Sequence, residues 1–450
     1  MHETAATPAP AAGGPSAGPP RPRRWAALAA LCRRPWRLLA VVAIGALILL
    51  GAGLAGAHLW ALHHYRAAHA ELERYHTAAA REHLEACLKV WPRSPDALLL
   101  AARAARRSAS FDGAEHFLAR AEQAGAKPDD LTLERVLLRA ERGDVDEVGP
   151  FCRGLLDRDA AAAPLVLEAV AFGLLRTYRL KEAQDALDRW QKLQPDNTQA
   201  AFFQGVLCDQ SDRRHDAIAA FRRAVQADPD RDDARLRLAG LLVLTAQFPE
   251  AVPHLEYLRR RLPDDPQVDV HLARCRAQAG QTAEAVALLD GVLARRPHFA
   301  PALAERGKLA MQSGEPERAE VWLAEAVARS PDDMQAQYQL QLCLTRLGKA
   351  GEAARAERRL KQMEDDLKRI QEIVQGEMQR SPHSAKLHYE AGVISLRAGQ
   401  PAAGLRWLHS ALKEDPNYAP AHRALADFYQ STGERALATR HRELARTAGP

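Results

Sequence analysis

A 34-residue periodicity is the feature of this 450-residue chain that most constrains its fold. Prolines that end a helical segment recur at this spacing, at Pro195, Pro229, Pro263, Pro297 and Pro331. Small residues recur earlier in each unit, at Ala80, Ala114, Val148, Ala183, Ala217, Ala251, Ala285, Ala319, Ala353, Gly404 and Ala438. Their steps are 34 residues, except for one of 35 and one of 51. Such repetition is typical of solenoids, in which each unit covers the apolar face of the next.

The unit at 198–231 shows why each repeat predicts a pair of helices. Ala217, Phe221 and Ala224 are spaced four and three residues apart, so they lie on one face of a helix. Pro229 ends that helix because it lacks an N–H donor and clashes with the preceding turn. Small residues recur at fixed places because two helices can approach closely only where side chains are short. Strand-like alternation is not found in the repeat region, which predicts an all-α fold.

The units resemble the tetratricopeptide repeat, which has small residues at its eighth, twentieth and twenty-seventh places and proline at its thirty-second. Three units carry this set, namely Gly205, Ala217, Ala224 and Pro229; Gly307, Ala319, Ala326 and Pro331; and Gly392, Gly404, Ala411 and Pro416. The family's aromatic residues on the first helix are mostly replaced, for example by Ala201 and Cys208. The resemblance implies a right-handed superhelical solenoid of about eleven antiparallel helix hairpins over 61–450.

One transmembrane helix is predicted ahead of the repeats, over 38–60. Residues 38–57 contain no polar side chain, and a helix of this length spans about 30 Å, the thickness of a bilayer core. Trp36 and Trp60 flank the run, where aromatic rings favour the headgroup layer. A cleaved signal peptide ending at Ala57 is the alternative, although such apolar regions are usually shorter.

Residues 1–37 are predicted to be a disordered basic tail, since they are rich in Pro, Gly and Ala. They contain six arginines and one glutamate, which accounts for the whole formal charge of +5. The tail is therefore predicted to stay in the cytoplasm and the repeats to lie across the membrane, as in a bacterial periplasm. A near-zero net charge over the remaining residues argues against nucleic-acid binding.

The step of 51 residues predicts an extended helix or insert at 349–381, between a solenoid at 61–348 and C-terminal repeats at 382–450. Its apolar residues are spaced three and four apart as a short heptad seam, at Leu360, Met363, Leu367, Ile370 and Val374. Two interpretations remain open at this stage. The seam packs back on its own solenoid, or the segment 360–374 supports weak self-association.

No motif of catalysis or metal binding emerges from the sequence. The six cysteines form no C-x-x-C pair, and neither H-E-x-x-H nor a phosphate-binding glycine loop is present. The cysteines fall at packing places of the repeats, which favours buried thiols. The chain is therefore predicted to be no enzyme and to have no metal and no cofactor.

The remaining candidate for a functional site is the surface of the repeats. The resemblance implies that peptides lie along the concave face made by the first helices. The residues mapped to that face are Arg274, Gln278, Lys308, Gln312, Tyr338, Arg346, Tyr389, Arg397 and Arg423. This mildly basic set with interleaved tyrosines would suit acidic or C-terminal peptide segments. The sequence thus predicts a membrane-anchored protein-interaction scaffold. The alternatives are an assembly or regulatory subunit of a separately encoded envelope enzyme and a secreted soluble repeat protein.

Overall fold

A computed structural model describes residues 35–158 and 162–447. The predicted tail at 1–37 lies almost wholly outside these described residues. Over both described ranges the chain is helical, without a strand. The helices are α1 Pro35–Glu73, α2 Thr77–Val90, α3 Pro95–Arg107, α4 Phe111–Gln123, α5 Pro128–Arg142, α6 Val145–Arg158, α7 Ala163–Arg176, α8 Leu180–Leu193, α9 Thr198–Gln210, α10 Arg214–Ala227, α11 Asp232–Leu244, α12 Phe248–Arg261, α13 Pro266–Gln278, α14 Thr282–Arg295, α15 Ala300–Gln312, α16 Pro316–Arg329, α17 Met334–Arg346, α18 Ala350–Gln371, α19 Ala385–Arg397, α20 Pro401–Glu414, α21 Ala419–Ser431 and α22 Arg435–Thr447.

Consecutive helices pair as antiparallel hairpins, numbered here repeat 1 (α1 and α2) to repeat 11 (α21 and α22). The described residues therefore confirm the predicted all-α fold of about eleven hairpins. Short polar turns separate the helices, and side chains cap several of them; Asn197 Oδ1, for example, accepts hydrogen bonds from two backbone N–H groups of α9.

The small residues at the eighth place of each unit let the two helices of a hairpin touch. A Cβ atom built on Gly205 would lie 2.6 Å from the ring of Phe221, and one on Gly307 would lie 2.6 Å from Leu323 Cγ. In repeat 10, a Cβ on Gly392 would lie 2.8 Å from Leu408 Cγ. The periodic small residues of the sequence are therefore explained by close packing inside each hairpin.

Helix α1 has an exposed apolar half and a packed half. Its Val42–Glu73 portion is long and apolar enough to cross a membrane; the most apolar window of that portion has a mean hydropathy of 2.0, and none of the window is buried. Leu47 and Leu49 are 66% and 75% exposed. Buried residues begin at Ala61, from which the same helix packs against α2 and α3. The first repeat thus continues the candidate membrane span without a break.

Helix α18 is the longest of the helices that follow α1, and a π-helical turn at Glu372–Glu377 extends it to Arg380. Within the seam, Met363 and Val374 are buried, whereas Leu367 is 47% exposed. Ile370 packs against a core cluster that includes residues of repeats 4, 5 and 10. Most of the seam therefore contacts its own chain, and self-association through 360–374 stays a prediction.

Repeats that are distant in sequence also contact each other across the coil. The turn after α1 reaches repeat 5, where Asn197 Nδ2 donates a hydrogen bond to the Tyr75 hydroxyl at 3.2 Å. Further along, the ring of Tyr178 stacks on that of Trp407, with centroids 4.7 Å apart. Tyr75 and Tyr178 both adopt the left-handed region, with φ of 64° and 55°. These contacts join the first repeat to repeat 5 and repeat 4 to repeat 10.

Candidate functional site

The first helices of successive repeats form the inner, concave side of the solenoid. Each of them contacts the first helix of the next repeat through much of the chain, as α11 does α13 and α13 does α15. Such close packing along one side bends the stack toward it. Side chains on this inner side are consequently the candidates for partner binding.

In repeats 2 to 4 the inner side carries charges that pair with one another. This buried charge network consists of Arg103, Arg106 and Arg107 on α3, Glu134 and Glu141 on α5, and Glu168 on α7. Arg106 contacts both Glu134 and Glu141, and it is only 1% exposed. Arg107 Nη2 lies 2.6 Å from Glu168 Oε2. Three cations thus meet three carboxylates, so the network is balanced without any partner.

Burial and ion pairing together shift the pKa values of the two glutamates Glu134 and Glu141 in opposite directions. Desolvation raises the pKa of Glu141 to about 7, while the charge of Arg106 opposes that shift. The pKa of Glu134 is lowered despite desolvation, because Arg106 and Arg103 stabilise its carboxylate. The carboxylates also hold the pKa of Arg106 above its ordinary value against desolvation. Glu141 is therefore the weakest charge of the network.

Tyr75 covers this network from the turn after α1. The guanidinium of Arg107 lies 4.6 Å from the centroid of its ring, and that of Arg231 lies 5.7 Å away. Arg107 Nη1 donates a hydrogen bond to the Leu72 carbonyl at 2.6 Å. The inner side of the first repeats is thus occupied by the chain itself.

In repeats 7 and 8 some of the sequence-predicted residues are engaged in ion pairs. Arg274 Nε lies 2.7 Å from Glu305 Oε1, and Lys308 Nζ lies 3.8 Å from the other oxygen of the same carboxylate. Glu305 is 7% exposed, so it is held within this triad. Gln278 and Gln312 stand exposed at the ends of their helices.

Repeat 9 presents the most accessible aromatic residue of the predicted set. Tyr338 is 44% exposed on α17. Arg346, at the end of the same helix, is also exposed, and its Nη1 donates a hydrogen bond to the Met311 carbonyl at 3.1 Å. Gln312 is located on the preceding first helix. These three residues, Gln312, Tyr338 and Arg346, are called the open strip below.

In repeats 10 and 11 the predicted residues are partly occupied. The ring of Tyr389 contacts that of Tyr418 edge-on at 5.7 Å. Arg397 pairs with Asp366 of α18, and Arg359 Nη2 donates to the Arg397 carbonyl at 2.9 Å. Arg423 is exposed. The set mapped from the sequence is therefore spread over five first helices and is not one uniform surface.

Titratable side chains elsewhere do not assemble a metal centre within the described ranges, where no group of three or more His, Cys, Asp or Glu is arranged to hold an ion. Five cysteines are buried free thiols, namely Cys87, Cys152, Cys208, Cys275 and Cys343. Burial raises the pKa of the Cys87 and Cys152 thiols. Their environment favours the neutral thiol over the reactive thiolate.

The repeats match a known family. Models of the tetratricopeptide repeat match residues 174–232, 210–275, 246–298 and 276–342. The chain contains tetratricopeptide repeats over 174–342, and the described helices on both sides of that stretch pair as hairpins as well. No curated protein matches the sequence.

Several solved structures are similar over parts of the chain. YrrB, described as a TPR protein with an unusual peptide-binding site, is 22% identical, with a TM-score of 0.36, over 42% of this chain and 96% of its own. PilW, described as a widely conserved type IV pilus biogenesis factor, is 20% identical, with a TM-score of 0.38, over 44% of this chain and 92% of its own. The human IFIT1 dimer with m7Gppp-AAAA is 15% identical, with a TM-score of 0.40, over 79% of this chain and 91% of its own. With TM-scores below 0.5, these structures carry no argument about function.

Proposed function

We propose that this protein is a non-enzymatic scaffold, anchored in a membrane by α1, that binds protein segments along the concave side of its C-terminal repeats. The observation that carries the proposal is the contrast along the inner side. Charges of repeats 2 to 4 are buried against each other, whereas the open strip of repeats 8 and 9 is exposed. Exposed Tyr and Arg side chains are the types that contribute most to protein recognition.

The chemistry of the open strip favours an extended, acidic peptide segment. Arg346 keeps further N–H donors for a carboxylate after its bond to the Met311 carbonyl. Tyr338 offers an apolar ring with a polar tip, and Gln312 can pair with a peptide group. The same strip can serve as the docking site of an assembly or regulatory subunit for an envelope enzyme, and partner identity would separate the two roles.

Anchoring is supported by the exposed apolar half of α1 and by the six arginines that precede it. Lys and Arg are retained on the cytoplasmic side of membrane spans. We therefore place the repeats on the outer side, in the periplasm of a bacterial envelope.

Site-specific photocrosslinking in intact membranes tests the partner surface. A photoreactive residue at position 338 should capture partner proteins, and Arg346→Ala should reduce the yield. Val321, which is 66% exposed on the second helix α16, provides the matched control position. Equal capture at 321 and 338, or capture at 321 alone, would argue against the open strip.

Protease added to spheroplasts tests the topology. With the outer membrane removed, the repeats should be degraded while a fragment containing residues 1–57 remains. A soluble repeat domain that begins at His58 would instead show that the apolar segment is a cleaved signal peptide. Protection of the whole chain would mean that the repeats face the cytoplasm.

A further inference from the structure

A second cleft lies away from the open strip, where α20 of repeat 10 faces the turns of repeats 3 and 4. It encloses about 550 Å³, within the usual range of small-molecule sites. Two contacts hold its walls together: Lys413 Nζ lies 3.0 Å from Asp144 Oδ1, and Trp407 stacks on Tyr178. The cleft exists only because distant repeats meet, so it is distinct from the concave groove.

The carboxylates that line this cleft are already paired. Within the described residues, Lys413 pairs with Asp144, Arg179 with Asp146 and Arg139 with Glu147. Glu414 contacts His383, a pair that is ionic only when the imidazole is protonated. Each lining carboxylate thus already has a contact of its own.

Two guanidinium groups of the cleft have no such partner. Neither Arg176, on α7, nor Arg406, on α20, forms an ion pair with any described residue, although both line the cavity. Arg176 rests on the ring of Phe111, 4.6 Å from its centroid. Its pKa is lowered first by burial and then by the charge of Arg406, whereas Glu141 raises it and Arg142 lowers it further. Like charges that approach each other without a carboxylate in ion-pair contact favour the binding of an anion between them.

A buried histidine in the same cleft is also unsatisfied. His388 is 5% exposed, and its ring nitrogens have no side-chain hydrogen-bond partner; the backbone of Ser410 is near enough to raise its pKa against the lowering by burial. Its ring lies 5.6 Å from that of Trp407. Buried polar groups are seldom left without a hydrogen-bond partner.

We propose that this cleft binds a phosphate-bearing small molecule between Arg176 and Arg406, with His388 as a hydrogen-bonding group in its wall. The two unpaired guanidinium charges call for an anion with at least about two negative charges, as phosphate monoesters and pyrophosphate carry at neutral pH. A single carboxylate would leave one arginine uncompensated. Arginine also contacts phosphate oxygens in a bidentate way. This inference is independent of the peptide-binding role proposed for the open strip.

Calorimetric titration of the full-length protein in a non-ionic detergent tests the site, with inorganic pyrophosphate as the probe and succinate as the dicarboxylate comparison. Pyrophosphate should bind, and binding should weaken by about tenfold in Arg406→Gln and by about tenfold in Arg176→Gln, the loss of one charge-assisted contact each. Arg260→Gln, an exposed arginine on α12, should leave the affinity unchanged. Because Arg406 is exposed, its variant should fold normally, which circular dichroism checks.

Three results would overturn the proposal. The first is the absence of any heat of binding for pyrophosphate at millimolar concentration, and the second is binding of succinate as tight as that of pyrophosphate. The third is an equal loss of affinity in all three arginine variants, which would mean that pyrophosphate associates with surface charge in general. Loss in the two cleft variants alone, with succinate silent, supports the assigned site.

Discussion

The two parts of the concave side use the same kinds of residue for opposite purposes. In repeats 2 to 4, arginines and glutamates on successive first helices neutralise each other and are closed off by Tyr75. In repeats 8 and 9, the corresponding side exposes Tyr338 and Arg346. The comparison shows that the position of a residue within its repeat determines whether its side chain points inward. The curvature of the solenoid then determines whether a partner can reach that side chain.

The largest change in stability is expected when one charge is removed from repeats 2 to 4, the closed part of the concave side. Arg106→Met leaves Glu134 and Glu141 buried near fewer cations, so the free energy of unfolding of the N-terminal repeats should fall by about 3–5 kcal/mol. Hydrogen exchange of α3 and α5 would measure the loss locally. Arg346→Met provides the control in repeats 8 and 9, the open part of the concave side. A comparable loss of unfolding free energy in that variant would contradict the distinction between the two parts.

A second test concerns the tightest helix contact of the closed part. A Cβ atom on Gly173 would lie 1.9 Å from the Ala140 carbonyl oxygen, so Gly173→Ala must separate α7 from α5. The free energy of unfolding should fall by about 1–3 kcal/mol. A Cβ atom on Gly291, within α14, would meet nothing within 4 Å, and Gly291→Ala should stabilise the protein by about 0.5–1 kcal/mol. Urea titration of both variants measures the two signs, and equal signs would refute the packing argument.

A third test uses pH, because Glu141 is the weakest charge of the network. Folding raises its pKa from 4.5 to about 7, so its stabilising contribution is present below pH 4.5 and is lost as the pH rises through 7. Arg106 and Arg107 oppose this shift, whereas desolvation and Glu168 produce it. Glu141→Gln, which cannot ionise, should therefore gain stability relative to wild type between pH 5 and pH 8, on the order of 1–3 kcal/mol.

The quantity to measure is the difference in unfolding free energy between Glu141→Gln and wild type. Each protein alone loses stability at acidic pH, because folding lowers the pKa values of His388 and His254 in both. Hydrogen exchange of α5, corrected for its intrinsic pH dependence, isolates the local effect. A difference that stays constant from pH 5 to pH 8 would show that Glu141 titrates normally.

The repeating part of this fold could be predicted because each unit meets the same neighbours. Gly205, Ala217 and Pro229 occupy places whose packing recurs every 34 residues, so one unit explains the others. The stack of Tyr178 on Trp407 could not be predicted in this way. It depends on small angles between repeats that add up over half of the chain, and no local pattern records that sum.

From the sequence, the candidate site could be predicted only as a set of positions within the repeats, without the contacts that those residues make. Sequence mapping assigned Tyr338 and Arg346 to the concave face, which stays a prediction, and it could not show that Glu305 engages Arg274. It also overlooked the buried charge network, although a signal exists. Arg103 and Glu134 are separated by 31 residues, as are Arg274 and Glu305, so this spacing brings opposite charges together on neighbouring first helices.

The smallest change in stability is expected for substitutions in the open strip, although these substitutions bear most directly on function. Tyr338→Ala removes a side chain that is 44% exposed, so the free energy of unfolding should change by no more than about 0.5 kcal/mol. Partner capture from position 346 should nevertheless fall, because an exposed aromatic residue at the centre of a binding surface contributes more to recognition than to folding. Tyr75→Ala is the matched substitution in the closed part. It removes the ring between Arg107 and Arg231, so it should destabilise the first repeats while leaving partner capture intact. If Tyr75→Ala abolished capture and Tyr338→Ala did not, the first repeats would be the partner surface and the assignment of the two parts would be reversed.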